Sequence, residues 1–173
     1  MFDSREQGVP LIVLGIDPGL KNTGWGVIER QGSRLRCLAY GCVTTESDRP
    51  TAERLATIHA ELVRVIERYA PVECSVESVY FSTNAKTAFA TGQARGAALL
   101  AAATLRVGEY GPGEIKLAVV GTGDADKRQV QYMVKAILGL PHEPQPDHAA
   151  DALAAAICHA NLRGTHAAAG SPL

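Results

Sequence analysis

The apolar run at residues 11–16 ends at Asp17, and Pro18 and Gly19 follow it at once. A short, nearly continuous apolar segment bounded by a Pro-Gly turn is typical of a buried strand. This strand would carry a carboxylate at its end, where burying a bare charge is costly unless a partner or a metal ion compensates it. The chain must therefore fold around a strand that delivers an acidic side chain to one edge of a sheet.

The order of the remaining elements indicates the fold class. Three strands joined by short turns form an antiparallel meander. Helices and strands then alternate, and a strand that follows a helical crossover lies parallel to the first strand. These rules predict an α/β fold with a mixed five-stranded sheet, three antiparallel strands plus two parallel ones, flanked by helices. We predict strands at 11–16, 23–30, 34–45, 72–79 and 107–111, and helices at 50–69, 84–105, 126–138 and 146–162.

Length and composition fit one globular domain. The chain has 173 residues, of which 46% are hydrophobic, and domains typically run to ~100–200 residues. Its apolar runs are far shorter than the ~20 residues of a membrane helix, and residues 1–10 lack the features of a signal peptide. The four cysteines form no C-x-x-C pair, which disfavours a zinc site or a disulfide framework. We expect a cytoplasmic protein with no membrane contact, an N-terminal extension at 1–10, one domain at 11–162 and a disordered tail at 163–173.

The net charge of −1, from 17 basic and 18 acidic residues, differs from the basic surface that is usual for a nucleic-acid-binding protein. Neutralising four carboxylates in a metal site would change −1 to +3. Net charge therefore excludes no class of partner for this chain.

Acidic residues recur at the ends of predicted elements. Glu77 lies in the fourth strand on the same face as Glu73 and Ser75, and Asp147 and Asp151 lie in the first turns of the last helix. Taken singly, such residues are often turn aspartates, surface ion pairs or helix caps. On neighbouring elements of one sheet, they supply with the first strand's aspartate the hard oxygen ligands that magnesium or manganese prefers. Two such ions ~3.5–4 Å apart are suited to phosphodiester hydrolysis.

A series of motifs extends this pattern along nearly the whole chain and resembles the RuvC family of bacterial Holliday-junction resolvases. The match runs in order from about residue 12 to residue 160, so it is far more specific than any one motif. The motifs are GIDPG at 15–19, TGWG at 23–26, ESVYF at 77–81, GQARG at 92–96, IK at 115–116, VVGTG at 119–123, DKRQV at 126–130 and HAADALA at 148–154.

The resemblance implies an RNase H-like fold and an endonuclease of DNA recombination and repair. Members of the family are homodimers that nick two opposed strands of a four-way DNA junction symmetrically, and they work beside the branch-migration proteins RuvA and RuvB. Carried over by position, the catalytic and metal-binding residues match Asp17, Glu77, His148 and Asp151, which would hold two divalent cations, Mg²⁺ or Mn²⁺.

His148 departs from the commonest pattern, because many members have aspartate at this position. An imidazole is a softer ligand than a carboxylate, so this site should suit manganese somewhat better than magnesium. Histidine also makes metal binding sensitive to pH near ~6–7. Asp147 is the alternative ligand, and we favour His148.

Basic and aromatic residues near these motifs are candidates for DNA contacts. Lys116, Lys127 and Arg128 lie in matching stretches, and Lys127 begins a helix after a glycine-containing loop. Lys86 and Arg95 on the second helix are further candidates, although Arg95 can equally pair with an acid or with a second subunit.

Each of three aromatic residues is predicted either to stack on a DNA base or to pack in the protein interior. The family places a base-stacking aromatic residue at the position of Tyr80, so we predict that role there. Phe81 and Trp25 are predicted to pack in the protein interior.

Three alternative functions remain open from the sequence. An actin-like or sugar-kinase domain also begins with Asp-x-Gly before a hairpin, but it needs a second domain that this length leaves no room for. The other two are a junction-binding protein without nuclease activity and an RNase H-like nuclease that cuts hybrids or simple duplexes. A cleavage assay on a four-way junction distinguishes them.

Overall fold

The structure, a computed structural model, describes residues 9–78 and 84–166. Its centre is a five-stranded sheet with the order β3-β2-β1-β4-β5. β1, β2 and β3 are antiparallel neighbours, while β4 lies parallel to β1 and β5 parallel to β4. This arrangement confirms the predicted mixed sheet of an RNase H-like fold. The strands are β1 Leu11–Asp17, β2 Asn22–Gln31, β3 Arg34–Thr44, β4 Glu73–Glu77 and β5 Arg106–Tyr110.

In the described residues, five helices cover the two faces of the sheet and enclose two hydrophobic cores. α1 and α2 pack on the face that carries Leu14, Ile16 and Val27. The other three helices pack on the face that carries Val13 and Ile28. The helices are α1 Thr51–Tyr69, α2 Ala85–Ala101, α3 Pro112–Val120, α4 Lys127–Leu138 and α5 Asp147–His166. None of the helices in the described part of the chain is both long and apolar enough to cross a membrane.

α3 was absent from our sequence prediction, which placed no helix between the fifth strand and residue 126. Its segment is apolar on nearly every side, so no helical stripe separates a buried face from an exposed one. The start signal was nevertheless present. Pro112 occupies the first turn, and the Glu114 carboxylate accepts a 2.8 Å hydrogen bond from the backbone N–H of Gly111.

Two predicted helix ends were also wrong. α2 ends at Ala101 rather than at residue 105, and Arg106 begins β5 soon afterwards. α5 continues to His166, four residues beyond the predicted end at 162. Its extension has a partner: the Arg163 guanidinium, which we had assigned to the tail, donates to Glu73 at the start of β4.

α5 lies unusually close to β1 and β2 because glycines face it there. A Cβ added at Gly15 would lie 2.0 Å from the carbonyl oxygen of Ala152. A Cβ added at Gly24 would lie 1.9 Å from the carbonyl oxygen of His148. Since no side chain fits in either gap, these two glycines allow the first turns of α5 to approach the end of β1. That approach builds the candidate site.

Candidate metal centre

Asp17 and His148 form the centre of the candidate site. Asp17 is the last residue of β1, and His148 lies in the first turn of α5. His148 Nδ1 donates a hydrogen bond of 2.8 Å to Asp17 Oδ2. The Asp17 side chain is only 14% exposed, so its carboxylate faces the protein rather than bulk water.

Asp151 joins this pair from the next turn of α5. Ligand atoms of Asp17, His148 and Asp151 all lie within 4.8 Å of one another. Three oxygen and nitrogen donors this close together can hold a metal ion. The structure thus brings together three of the four residues that we predicted as ligands.

Glu77 approaches the same centre from the end of β4, which lies beside β1. Burial, the negative charge of Asp17 and a hydrogen bond to Asp17 raise the pKa of Glu77 to about 8. Asp151 adds to this effect, and the nearby Lys116 opposes it. Burial and Asp17 likewise raise the pKa of Asp151 to about 6. A cation among these carboxylates would relieve their repulsion, so the donor set fits a divalent metal.

Asp147, the alternative ligand in our sequence analysis, faces other partners. Its Oδ2 accepts a 2.9 Å salt bridge from Lys127 Nζ, and its Oδ1 accepts a 2.9 Å hydrogen bond from Gln131 Nε2. These contacts lower the pKa of Asp147, with the Lys127 contact as the largest cause. The geometry therefore places His148, rather than Asp147, in the cluster.

Two lysines border the acidic side of the site. Glu77, Lys116, Lys127 and Asp151 line a cleft of about 230 Å³, together with apolar residues of α3, α4 and α5. Lys127 Nζ lies 3.9 Å from Asp151 Oδ2, and hydrogen bonding to Asp147 is the main cause that raises the pKa of Lys127. A phosphate group in this cleft would meet two ammonium groups and the ligand cluster together.

Among the described residues, the other predicted DNA contacts do not line the cleft that holds Lys116 and Lys127. Arg128 is exposed in the first turn of α4, and Lys86 is exposed in the first turn of α2. Arg95 forms a salt bridge with Glu109, which was one of its predicted alternatives. The predicted stacking and packing roles of Tyr80 and Phe81 lie outside the described residues.

The predicted packing role of Trp25 is confirmed by its position on β2. Its ring lies 6.3 Å from the ring of Tyr69 at the end of α1. The indole is only partly exposed and packs against the core formed with α1 and α2.

Sequence reasoning missed Gln131 as part of the site. It is a buried polar residue on α4, one turn after Lys127, and its amide holds Asp147. A polar residue between the apolar Val130 and Val134 was the available signal, because a buried amide requires a partner.

Comparison with known proteins agrees with this geometry. The family model for crossover junction endodeoxyribonuclease RuvC matches residues 13–159. The Treponema pallidum crossover junction endodeoxyribonuclease RuvC is 51% identical over 150 residues, which cover 86% of this chain and 76% of that protein. A solved structure of Thermus thermophilus RuvC has a TM-score of 0.82 and 40% identity, covering 90% of this chain and 97% of that chain.

A second solved structure shows T. thermophilus RuvC in complex with Holliday junction substrate. It is 37% identical with a TM-score of 0.82, and the match covers 90% of this chain and 96% of that chain. Motif order, sheet topology and similarity over most of the length thus lead to the same family. The chain belongs to the RuvC family of crossover junction endodeoxyribonucleases.

Proposed function

We propose that this chain resolves four-way DNA junctions by metal-dependent phosphodiester hydrolysis, in recombination and repair. The observation that carries the proposal is the cluster of Asp17, His148 and Asp151, whose ligand atoms lie within 4.8 Å of one another. The complex of T. thermophilus RuvC with Holliday junction substrate supports the choice of DNA. Its match covers 90% of this chain, so the same fold surrounds both sites.

Asp17, Glu77, His148 and Asp151 are the proposed ligands of two divalent cations, Mg²⁺ or Mn²⁺. When bound, such ions activate a water for in-line attack and stabilise charge on the leaving oxygen. Three carboxylates and one imidazole give a donor set that accepts either metal, and the imidazole favours manganese. Because burial and Asp17 raise the pKa of Glu77, its carboxyl must lose a proton before it binds a cation.

Lys116 and Lys127 are proposed to hold the phosphate that is cut. Both line the cleft beside Glu77 and Asp151, and an ammonium group there offsets charge that develops on phosphate oxygens. Asp147 contacts Lys127 Nζ at 2.9 Å, and the Gln131 amide in turn donates to Asp147 at 2.9 Å. These two contacts hold the Lys127 side chain at this cleft. Asp147 thus acts as a positioning residue for Lys127.

A homodimer would place two such sites on one junction. The described part of α2 presents a stripe of apolar and small residues at helical spacing, Phe89, Gly92, Gly96 and Leu100. Phe89 is 70% and Leu100 67% exposed, and a Cβ at either glycine would meet open space. This stripe is our proposed contact with a second copy, because apolar surface of this extent favours association. Action in the cytoplasm beside RuvA and RuvB is proposed from the family resemblance.

The test is cleavage of a synthetic four-way junction, with a matched linear duplex and an RNA–DNA hybrid as controls, in Mg²⁺ and separately in Mn²⁺. Paired nicks on opposed strands of the junction alone are expected. D17N should abolish cutting while it leaves junction binding in place. D48N, which removes a carboxylate from an exposed turn outside the site, should cut normally.

Three outcomes would contradict the proposal in different ways. Cleavage of the hybrid in place of the junction would agree with the proposed metal site but would contradict the proposed substrate. Junction binding without cutting in either metal would indicate a binding protein. Normal cutting by D17N would reject the metal-site assignment itself.

A further inference from the structure

We propose that a second basic groove, on the His148 side of the site, binds backbone phosphates of the cleaved strand next to the scissile one. We call it the Lys21 groove and define it by the cations Lys21, Arg54 and Lys86. The inference rests on the proposed junction cleavage and deepens it, because it assigns a path to the DNA strand.

The Lys21 groove is a cavity of about 670 Å³ between the β1–β2 turn and the first turns of α1 and α2. Its described lining includes the three cations, the hydroxyl-bearing Thr51 and Thr87, and His148 at one side. None of the described residues that line it is an aspartate or a glutamate. Its chemistry is that of a phosphate site, with several positive charges and hydroxyl donors.

Arg54 is held in the groove by a buried threonine. Thr45 is 6% exposed, and its hydroxyl accepts a 2.8 Å hydrogen bond from Arg54 Nε. The same hydroxyl donates to the Leu20 carbonyl oxygen at 2.6 Å, and the Thr45 N–H donates to the Lys21 carbonyl oxygen at 2.9 Å. One buried residue therefore joins the end of β3, the β1–β2 turn and the guanidinium. The arrangement is pre-organised for a ligand.

The three cations also lack the acidic partners that other basic residues of the protein have. Lys127 pairs with Asp147 and Arg95 pairs with Glu109. Within residues 9–78 and 84–166, no carboxylate lies within 4.0 Å of a charged nitrogen of Lys21, Arg54 or Lys86. Three neighbouring cations without counter-charges attract a polyanion and favour its binding by counterion release.

The position of the Lys21 groove beside the ligand cluster indicates which phosphate compound it binds. His148 belongs both to the Lys21 groove and to the ligand cluster with Asp17. A separate cleft, that of Lys116 and Lys127, borders Glu77 and Asp151. A strand whose scissile phosphate lies over the cluster thus has cations beside His148 and further cations beside Glu77 and Asp151. DNA satisfies this arrangement, because it carries evenly spaced phosphates on each side of the cut.

The first measurement is junction binding by K21A/K86A as a function of salt, in EDTA to prevent cutting. We expect about tenfold weaker binding near 0.1 M salt. The slope of log K against log salt should fall by roughly 0.7–0.9 for each lost contact. R34A is the matched control, because it removes an exposed charge from the β2–β3 hairpin at the other end of the sheet. Unchanged thermal unfolding would show that each variant is folded.

The second measurement locates the contact on the DNA. Single neutral methylphosphonate linkages are placed one at a time on each side of the cut. At one or two linkages on one side, neutralisation should weaken binding by the wild-type protein and leave K21A/K86A unaffected. The proposed phosphate binding by the Lys21 groove would be overturned if both proteins lost the same binding affinity at every linkage. It would also be overturned if K21A/K86A had an unchanged salt slope. Absence of junction cutting by the wild-type protein would instead reject the proposed function.

Discussion

The imidazole of His148 donates a 2.8 Å hydrogen bond to the carboxylate of Asp17, although the two residues are 131 positions apart in the chain. This contact joins the end of β1 to the start of α5, and it exists because Gly24 lets the His148 backbone lie against β2. The bond and the negative charge of Asp17 raise the pKa of His148, while burial opposes them. A metal ion that binds Asp17 and His148 would have to displace the proton on His148 Nδ1 that forms this hydrogen bond.

We predict that H148D shifts the metal preference of cleavage. A carboxylate is a harder ligand than imidazole, so the ratio of the rate in Mg²⁺ to the rate in Mn²⁺ should rise, by about tenfold. The measurement is the cleavage rate of a four-way junction at saturating concentrations of each metal. H148A should cut slowly in both metals. An unchanged ratio in H148D would show that His148 does not contact the metal.

D17N should stabilise the metal-free protein and abolish its stabilisation by metal. The Asp17 charge raises the pKa of both Glu77 and Asp151, so removing it relieves repulsion at a half-buried site. We expect a gain of about 1 kcal/mol, which corresponds to roughly 2–4 °C in Tm for a chain of this size. Thermal unfolding in EDTA and in Mn²⁺ tests this expectation, with D48N as the matched loss of a charge. A lower Tm for D17N in EDTA would contradict it.

Metal binding at pH 7 should release about one proton from Glu77, in addition to any proton that His148 loses, because the pKa of Glu77 is about 8 and its carboxyl is mostly protonated there. For folding, the raised pKa means that the native state binds this proton more tightly than the unfolded chain. The contribution of Glu77 to stability in metal-free protein therefore falls as pH rises from about 4.5 to about 8.

Calorimetric titration of metal at pH 7, in two buffers with different ionisation enthalpies, gives the number of protons released. E77Q should release fewer protons, and its metal-free stability should vary less over that pH range. Identical proton release by E77Q and the wild-type protein would show that Glu77 keeps no proton in the metal-free site.

Much of the fold followed from local patterns that have a clear physical origin. The apolar run before Asp17 predicted the central strand, because buried parallel strands are nearly continuous apolar runs. The strand ending at Glu77 was predicted to lie parallel to it because a helix precedes it in the chain. α3 could not be predicted from the sequence, since its apolar residues show no helical period. The last turn of α5 could not be predicted either. Its stability comes from the contact of Arg163 with a glutamate 90 residues away, which no local pattern encodes.

The site was predictable in its residue types and less so in its contacts. The resemblance indicated Asp17, Glu77, His148 and Asp151, but the choice between Asp147 and His148 needed coordinates. Adjacent residues on a helix point about 100° apart, so the orientation of α5 against β1 and β2 decides which of the two faces the cluster. Lys21 and Arg54 were missed because the groove they share forms only when β3, the β1–β2 turn and α1 meet.

D147N should slow cleavage about tenfold at saturating metal and junction, with little change in the metal concentration needed for half-maximal rate. Asp147 holds Lys127 at 2.9 Å and contributes no atom to the ligand cluster, so its loss should misplace an ammonium group without removing a ligand. Q131A should show the same pattern more weakly, because it removes only the support of Asp147. A shift of the metal midpoint by tenfold or more in D147N would instead make Asp147 a ligand.

R163A should destabilise the protein without changing the site. Glu73 is 5% exposed and accepts hydrogen bonds from Arg163 Nε at 2.9 Å and from His159 Nε2 at 2.7 Å. The Arg163 side chain is 40% exposed and His159 still contacts the carboxylate, so truncating Arg163 should cost about 1–2 kcal/mol, less than the loss of a partner from a fully buried pair. N161A, an exposed position on the same helix, should change stability by less than about 0.5 kcal/mol.

The pH dependence of R163A provides an independent check on this contact. The partners of Glu73 lower its pKa, and burial lowers the pKa of His159. Both groups therefore bind protons less tightly when the protein is folded, and the stability that they contribute at neutral pH is lost as pH falls through their titration. Urea unfolding at pH 7.5, pH 5 and pH 3.5 separates the two groups, because the loss down to pH 5 reports mainly His159 and the loss below pH 4.5 reports Glu73. Below pH 4.5, the wild-type protein should lose more stability than R163A. Equal losses in the two proteins would show that Arg163 does not stabilise the Glu73 carboxylate.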